Sequence, residues 1–302
     1  MVGAYAPTMA SIDVKTGMTL EYDIRGEGEP ILFIMGLGGQ LIDYAEEFVD
    51  LFVAEGYRAI RFDNRDIGLS TQTDWEPPSQ RKTMMSMAAH RPLKNVGYTV
   101  DDMAADAAAL LEALDIESAH IVGVSMGGMI TQAMAINHPS RVKSICSIMS
   151  NTGDRKNGGI AFSLMRKLGR RPVPTRETAV EDSVVVFSAI AGDHFDEEEQ
   201  RKQGSEGVMR SFTPAGVARQ TAAIAGSSDR TARLGRVKVP ALVIHGLKDP
   251  LVKPSGGIAT ANAIPGSRLL MFGDMGHDLP RPRWPEIAEA ILQNIRRTSR
   301  SA

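Results

Sequence analysis

Cysteine is almost absent from this sequence: Cys146 is the single one in 302 residues. One thiol cannot form a disulfide within the chain, so the fold does not depend on an oxidising compartment. The first residues also lack the basic stretch and apolar core of a secretory signal. Together these absences predict a cytoplasmic protein.

Long apolar runs and an excess of one charge are missing as well. No apolar run approaches the ~18 residues that a membrane-spanning helix needs, and the formal net charge is −2. The only notable basic cluster, Arg166–Lys167 with Arg170–Arg171, has no aromatic side chains interleaved with it, whereas nucleic-acid-binding surfaces often do. We therefore expect neither a membrane span nor nucleic acid as a partner. The sequence leaves the oligomeric state open.

The glycine-rich stretch Gly36–Gly39 follows the apolar run "PILFIM" but lacks the dinucleotide-binding fingerprint. The pattern G-x-G-x-x-G would need its third glycine where Leu41 stands. Asp63, the acidic residue after the next apolar run, is interpreted as a structural loop carboxylate that pairs with Arg61 or Arg65. We expect no cofactor and no metal ion.

Apolar β-branched runs alternate with segments of helical periodicity along most of the chain. The opening residues alternate polar and apolar side chains around Gly17, which predicts an antiparallel hairpin at a sheet edge. The stretch "TVDDMAADAAALLEALDI" is predicted to be a helix with Thr99 as its N-cap and Asp102 three residues on. Another helix is predicted from Met126 to about His138. The alternation predicts an α/β fold with a mostly parallel central sheet flanked by helices.

Residues 151–236 interrupt this alternation, because they have mostly helical character and contain no strong strand run. We predict a core formed by residues 1–150 and 237–302, with residues 151–236 inserted as a helical cap. Six apolar side chains of the insertion either pack within it or line a substrate pocket: Met165, Val185, Phe187, Phe195, Met209 and Phe212.

Residues 120–130, "HIVGVSMGGMI", carry the clearest chemical signal. Gly123 and Gly127 flank Ser125 in the pattern G-x-S-x-G, after a predicted strand and before a predicted helix. Strand and helix backbones nearly touch at such a turn, so the residues two before and two after the serine must be very small. The turn raises the serine hydroxyl above the carboxyl edge of the sheet. Ser125 is therefore the candidate nucleophile.

A serine hydroxyl needs a general base, and His277 is the candidate. It lies in the loop "GDMGHDLP" after the last predicted strand, which opens at the same sheet edge as Ser125. Asp249, in "HGLKDPLV" after the preceding strand, is the candidate to orient the imidazole. The weaker candidates are the other histidines, His90, His120, His138, His194 and His245, and the acids Asp154, Asp274 and Asp278.

Two backbone amides are predicted to bind a developing oxyanion. The Met126 amide begins the helix after the serine, where N–H groups are unpaired and the helix dipole favours negative charge. The second donor is expected from the loop after "PILFIM", and the Leu37 amide is the candidate. These two donors would stabilise the tetrahedral intermediate of acyl transfer.

The segments "FIMGLGG", "RFDNRDIGLS", "VGVSMGG", "VIHGLKDP" and "GDMGHDLP" resemble those of the α/β-hydrolase superfamily. Two positions depart from the common pattern: Met35 precedes Gly36 where many members have histidine, and Asp66 replaces a glycine. Both departures are similar to the subgroup that contains aclacinomycin methylesterase and related bacterial esterases. The resemblance implies an α/β-hydrolase fold and an ester hydrolase with a helical cap.

These residues predict a serine-dependent carboxylic ester hydrolase that acts through an acyl-enzyme on a small to medium, fairly hydrophobic ester. A lactonase, a thioesterase, a C–C hydrolase or a perhydrolase would use the same triad, so the motifs do not separate them. A hydrolase-like ligand receptor is the alternative of a different class.

Overall fold

The computed structural model describes residues 9–88, 91–168 and 171–298. The strands are Ala10–Asp13 (β1), Thr19–Arg25 (β2), Glu29–Ile34 (β3), Tyr57–Phe62 (β4), Ala119–Val124 (β5), Val142–Ile148 (β6), Ala241–Gly246 (β7) and Arg268–Phe272 (β8). They form one sheet in the order β1-β2-β4-β3-β5-β6-β7-β8. β2 pairs antiparallel with β1 and with β4, and the remaining neighbours are parallel. The predicted α/β class and edge hairpin are confirmed.

Helices cover both faces of this sheet. The described α-helices are Glu46–Val53 (α1), Gln80–Ala88 (α2), Val100–Ala113 (α3), Met126–Asn137 (α4), Phe162–Leu168 (α5), Ala179–Ile190 (α6), Glu197–Arg210 (α7), Pro214–Gly226 (α8), Thr231–Leu234 (α9), Ser255–Ala263 (α10) and Trp284–Ile295 (α11). α3 and α4 pack on one face of the sheet, whereas α1 and α11 pack on the other.

The position of the central strands explains why their sequences are mainly apolar. β3 and β5 are neighbours in the middle of the sheet, and nearly every residue in them is buried. A strand covered by helices on both faces is apolar along its length instead of alternating. The predicted cap of α3 is also present, because the Thr99 amide donates to Asp102 Oδ2 at 2.7 Å.

The segment between β6 and β7 contains α5 to α9, and no strand is described in it. Within this segment α6 packs against α7. The segment is thus helical, as expected, while its limits as a separate cap stay a prediction. In the described ranges, no helix is long and apolar enough to cross a bilayer.

The predicted partner of Asp63 is wrong. Its carboxylate accepts a hydrogen bond from Arg210 at the end of α7, at 2.7 Å. Arg61 instead faces Asp23, its direct neighbour across the antiparallel β2–β4 ladder. Strand pairing therefore gives Arg61 to Asp23, and Arg65, the other predicted partner, pairs with Asp106 at 2.5 Å. A residue 147 positions further along the chain, Arg210, pairs with Asp63 instead.

Asp66 occupies a position where the backbone favours glycine. Its φ is 71°, in the left-handed region that few side chains tolerate and that aspartate adopts more readily than most. The carboxylate accepts a hydrogen bond from the Thr73 amide at 2.6 Å and one from Arg219 of α8 at 3.0 Å. The side chain that replaces glycine thus ties the loop after β4 to the inserted helices.

Candidate active site

The turn between β5 and α4 presents Ser125 at a sharp, strained corner. Ser125 has φ of 56° and ψ of −117°, and the helix begins at the next residue, Met126. Its amide donates to the Ile148 carbonyl of β6 at 2.8 Å, which fixes the corner to the sheet. A serine in this backbone conformation is uncommon and indicates a constrained functional position.

The flanking glycines of this turn have no room for a side chain. A Cβ at Gly123 would lie 2.1 Å from the Gly127 carbonyl oxygen, and a Cβ at Gly127 would lie 2.0 Å from the Ile34 carbonyl oxygen. Both neighbours are backbone atoms of regular elements, so neither can move aside. This contact confirms the steric reason for the G-x-S-x-G spacing.

His277 lies in the loop between β8 and α11, with its ring directed at the serine. Its Nε2 is 2.9 Å from Ser125 Oγ. The His277 amide donates to the Ile190 carbonyl at the end of α6 at 2.7 Å. The next residue, Asp278, accepts a hydrogen bond from the Gly276 amide at 2.9 Å. The loop that carries the imidazole is therefore held both by itself and by an inserted helix.

Asp249 reaches the other side of the same imidazole from the loop after β7. Its Oδ2 is 2.7 Å from His277 Nδ1, and its Oδ1 accepts the Leu251 and Val252 amides, each at 2.8 Å. Burial alone would raise the pKa of this carboxyl, but the charge of His277 and several hydrogen bonds hold that pKa below its usual value. Asp249 is thus kept ionised beside the ring.

The other described histidines do not reach Ser125. His120 lies at the opposite end of β5, where its Nδ1 is 2.8 Å from Ser144 Oγ and burial lowers the pKa of the ring to about 4. His245 is a buried core histidine whose Nε2 is 2.7 Å from the Val252 carbonyl oxygen. His90 lies outside the described residues.

The alternative acids have other partners. Asp274 pairs with Arg283 and lies 2.7 Å from His194 Nε2, and these contacts hold its pKa far below the usual value. Asp154 accepts backbone and side-chain hydrogen bonds from Asn157 in its own loop. Of the acids weighed, Asp249 is the one in contact with the imidazole of His277.

The two predicted oxyanion donors face the same cavity as Ser125. Leu37 and Met126 both line it, and neither amide makes a hydrogen bond within the described part of the chain. Gly36 brings the loop after β3 close to the nucleophile, since a Cβ there would lie 3.2 Å from Ser125 Cβ. Both N–H groups are thus without a partner in the described residues, and their role as oxyanion donors stays a prediction.

A cavity of about 2220 Å³ extends from Ser125 and His277 beneath the inserted helices. Four of the six apolar residues proposed for a pocket line it: Met165, Phe187, Phe195 and Phe212. Val185 and Met209 do not, and Met209 is 71% exposed. Their neighbours Val186 and Val208 line the cavity instead, because successive helical residues point about 100° apart.

Sequence reasoning missed one buried residue beside this site, Gln220 of α8. Its Oε1 accepts the Gly38 amide at 3.0 Å, although the two residues are 182 positions apart. No local pattern marks a glutamine within an alanine-rich helix as a partner of a distant glycine loop. Among the described residues, no group of three or more His, Cys, Asp or Glu side chains is arranged to hold a metal ion.

Comparison with known proteins gives one family. A model of the alpha/beta hydrolase fold matches residues 29–280. The chain is 29% identical over 290 residues to rhodomycin D methylesterase DnrP of Streptomyces peucetius. This alignment covers 88% of this chain and 91% of that protein. The chain is also 28% identical to rhodomycin D methylesterase DauP of Streptomyces sp. (strain C5), with the same two coverages of 88% and 91%.

The fold is also similar to a solved structure. The enol-lactonase from Burkholderia xenovorans LB400 superposes with a TM-score of 0.72 at 22% sequence identity. The superposition covers 95% of this chain and 99% of the lactonase chain. At this level of identity the likeness concerns the fold.

Proposed function

Because this chain belongs to the alpha/beta hydrolase family, we propose that it is a serine-dependent carboxylic ester hydrolase. One observation carries the proposal: Ser125 Oγ, His277 and Asp249 form a continuous line, with contacts of 2.9 Å and 2.7 Å on the two ring nitrogens. In this arrangement a base can take the serine proton while a carboxylate holds the other side of the ring.

The first half of the reaction forms an acyl-enzyme. Ser125 Oγ attacks the ester carbonyl carbon as His277 Nε2 takes its proton, and Asp249 stabilises the resulting imidazolium. The Leu37 and Met126 amides donate to the oxyanion of the tetrahedral intermediate. The intermediate collapses as His277 returns the proton to the leaving alkoxide, which releases the alcohol.

Hydrolysis of the acyl-enzyme repeats these steps with water. His277 takes a proton from water as the water oxygen attacks the acyl carbon, and the same two amides bind the second oxyanion. Collapse breaks the bond to Ser125 Oγ, which regains its proton from His277. The carboxylic acid leaves and the free enzyme is restored.

The cavity supports a fairly hydrophobic ester, as predicted, and its volume of about 2220 Å³ leaves room for one larger than the predicted small to medium size. Apolar residues from the core and from the inserted helices line it, among them Met129, Met149, Phe187 and Phe212. We propose that residues 151–236 act as a cap that roofs this space. The similarity to two methylesterases makes methyl esters of bulky carboxylic acids the first class to test.

A matched substrate panel tests the proposal. Wild type and Ser125→Ala are compared on p-nitrophenyl acetate, butyrate and octanoate, on methyl esters of bulky aromatic acids, and on a lactone and a thioester. We expect wild type to hydrolyse the oxygen esters and Ser125→Ala to lose at least ~10⁴-fold in kcat. Equal activity of the two proteins, or turnover of the lactone or thioester alone, would contradict the proposal.

A further inference from the structure

Gln220 uses both ends of its amide to join two core loops. The side chain is fully buried, with 0% of its surface exposed. Its Oε1 accepts the Gly38 amide at 3.0 Å, and its Nε2 donates to the Arg65 carbonyl at 2.9 Å. Gly38 is in the loop after β3 and Arg65 is in the loop after β4, so one side chain of α8 bridges both.

The chemistry of the two partners fixes the orientation of this amide. A backbone N–H needs an acceptor and a backbone carbonyl needs a donor, and a carboxamide supplies one group of each kind. Turning the amide over would place an NH₂ group against the Gly38 N–H and an oxygen against the Arg65 carbonyl. The assignment of oxygen and nitrogen in Gln220 therefore follows from its surroundings.

The helix that carries Gln220 is held closely against these loops. A Cβ at Gly216 would lie 1.8 Å from the Asp66 carbonyl oxygen, and a Cβ at Gly38 would lie 3.2 Å from Val217 Cγ2. Arg219, the residue before Gln220, donates to Asp66 at 3.0 Å. Helix α8 is thus fixed in place around the glutamine.

The two ends of the loop after β3 are anchored, because Asn64 donates to the Met35 carbonyl at 3.1 Å and the Gln40 side chain donates to the Gly207 carbonyl at 2.8 Å. Between these ends, residues 36–39 make few contacts of their own. The Leu37 side chain is 41% exposed, so its packing does not anchor the backbone. Within residues 36–39 the backbone makes one hydrogen bond, from the Gly39 amide to the Gly36 carbonyl at 3.2 Å. Three of these four residues are glycines, which gives the chain more conformations to choose from. The bond from Gly38 to Gln220 therefore constrains an otherwise adaptable segment.

We propose that Gln220 is a positioning residue for the oxyanion hole. By holding Gly38, it keeps the preceding Leu37 amide directed at the carbonyl oxygen beside Ser125. This inference rests on the proposed ester hydrolysis, because it assigns the Leu37 amide a role in that reaction. Donors that are fixed before the reaction stabilise the transition state without a reorganisation cost. The inserted helix α8 is then part of the catalytic framework as well as of the roof.

Gln220→Met tests this role, because methionine nearly matches glutamine in size and makes neither hydrogen bond. We expect kcat for a hydrolysed ester to fall ~10–100-fold, less than the ~10²–10³-fold loss of a whole oxyanion donor, with KM changed less than about threefold. The inhibition constant of a trifluoromethyl ketone, which forms a tetrahedral adduct on the serine, should weaken by a similar factor.

Asn294→Leu is the matched control. Asn294 is 1% exposed, and its amide donates to the Ile145 and Pro240 carbonyls at 3.0 Å and 3.4 Å. This substitution removes a buried bridging amide away from the serine, so it should lower stability and leave kcat within about twofold of wild type. An equal loss of kcat in Asn294→Leu and Gln220→Met would overturn the positioning role.

Gln220→Glu gives a second test in a variant that keeps the size and shape of the side chain. Its protonated carboxyl has one acceptor and one donor, as the amide does, whereas the carboxylate has no donor for the Arg65 carbonyl. The ratio of kcat in Gln220→Glu to kcat in wild type should therefore rise as the pH is lowered. The ratio cancels any pH dependence that the two proteins share. A ratio that does not change with pH would contradict the proposal.

Hydrogen exchange at the Gly38 amide separates this inference from the proposed function, because it needs no substrate. We expect exchange at Gly38 to be at least ~10-fold faster in Gln220→Met than in wild type and Asn294→Leu. Unchanged exchange would overturn the inference even if esters are hydrolysed. If exchange is faster but the protein hydrolyses no ester, Gln220 still constrains the Gly38 loop. The proposed function would then be wrong, and with it the role of Gln220 in catalysis.

Discussion

Two loops that follow neighbouring strands face one cavity, yet they are held in place by different parts of the chain. The turn after β5 is fixed by its own glycines, since Gly123 packs on the Gly127 carbonyl and Gly127 on that of Ile34. In the loop after β3, the Gly38 amide is held by Gln220, which lies 182 residues further along the chain. One proposed oxyanion donor, Met126, thus depends on local sequence, and the other, Leu37, depends on a distant helix.

This difference shows where the inserted helices can influence the chemistry. A change in α8 reaches the loop after β3 through a hydrogen bond, whereas the turn at Ser125 is bonded to β6 of the sheet. The loop that carries His277 also contacts the inserted helices, because the His277 amide donates to the Ile190 carbonyl at the end of α6. Substitutions in the insertion should therefore alter the Leu37 side of the site more than the Ser125 side.

The largest effect is expected at Asp249, because both loops serve a serine that, in the proposed mechanism, the Asp249–His277 pair activates. In Asp249→Asn the side chain can donate to Nδ1, which would favour the wrong tautomer of His277, so we expect kcat to fall ~10³–10⁴-fold. The stability that this carboxylate contributes is present above pH 3.8 and is lost as the pH falls through its lower folded-state pKa. Ester kinetics and acid unfolding of both proteins measure the two effects.

Asp274→Asn is the control for that substitution. Asp274 also pairs with a histidine, His194, at 2.7 Å, but in a partly exposed cluster with Arg283. We expect its kcat to stay within about threefold of wild type. A larger loss of kcat in Asp274→Asn than in Asp249→Asn would indicate that Asp274, and not Asp249, is the catalytic carboxylate.

A substitution at Gly127 tests whether the turn after β5 is fixed by close backbone contact. Gly127→Ala places a Cβ 2.0 Å from the Ile34 carbonyl oxygen, and we expect the free energy of unfolding to fall by at least ~3 kcal/mol. Gly273→Ala is the control, since a Cβ there meets no atom within 4 Å. Urea unfolding with similar midpoints for the two variants would show that the turn can relax.

Asp43 lies just beyond the loop after β3, and its substitution should have a smaller effect than the two above. Burial raises the pKa of this carboxyl from 3.8 to about 6, although it accepts the Gln40 amide at 2.8 Å. The folded state binds more protons than the unfolded state between these values, so this group makes stability fall as the pH rises through them. Asp43→Asn removes the charge and keeps an acceptor for Gln40.

We expect Asp43→Asn to be ~1–2 kcal/mol more stable than wild type at pH 7.5, with the difference shrinking toward pH 4. Thermal unfolding of both proteins over this range measures the effect, and kcat should change little. A variant that is less stable than wild type at pH 7.5 would show that the ionised carboxylate is well compensated in the folded protein by Arg210 nearby.

The sequence predicted the parts of the site that follow strands of the sheet. Ser125, Asp249 and His277 each come soon after a parallel strand, and the carboxyl ends of parallel strands meet at one edge. The G-x-S-x-G spacing was also interpretable from sequence, because the close approach of strand and helix requires small residues on both sides of Ser125. The structure brings these three residues together, and their catalytic roles stay a proposal.

Features that depend on long-range packing were not predictable in the same way. The partner of Asp63 is Arg210, because strand pairing assigns Arg61 to Asp23. Val185 and Met209 point away from the cavity because helix rotation decides which residue of an apolar run faces it. Composition gives the apolar character of such a run but not its rotation.

A small fluorophosphonate reacts with an activated serine, so intact mass after exposure to it shows directly whether Ser125 is the nucleophile. We expect one adduct per wild-type chain, no adduct on Ser125→Ala and a much slower reaction of His277→Ala. No adduct on wild type, an adduct that persists in Ser125→Ala, or a His277→Ala rate equal to that of wild type would contradict the proposed mechanism.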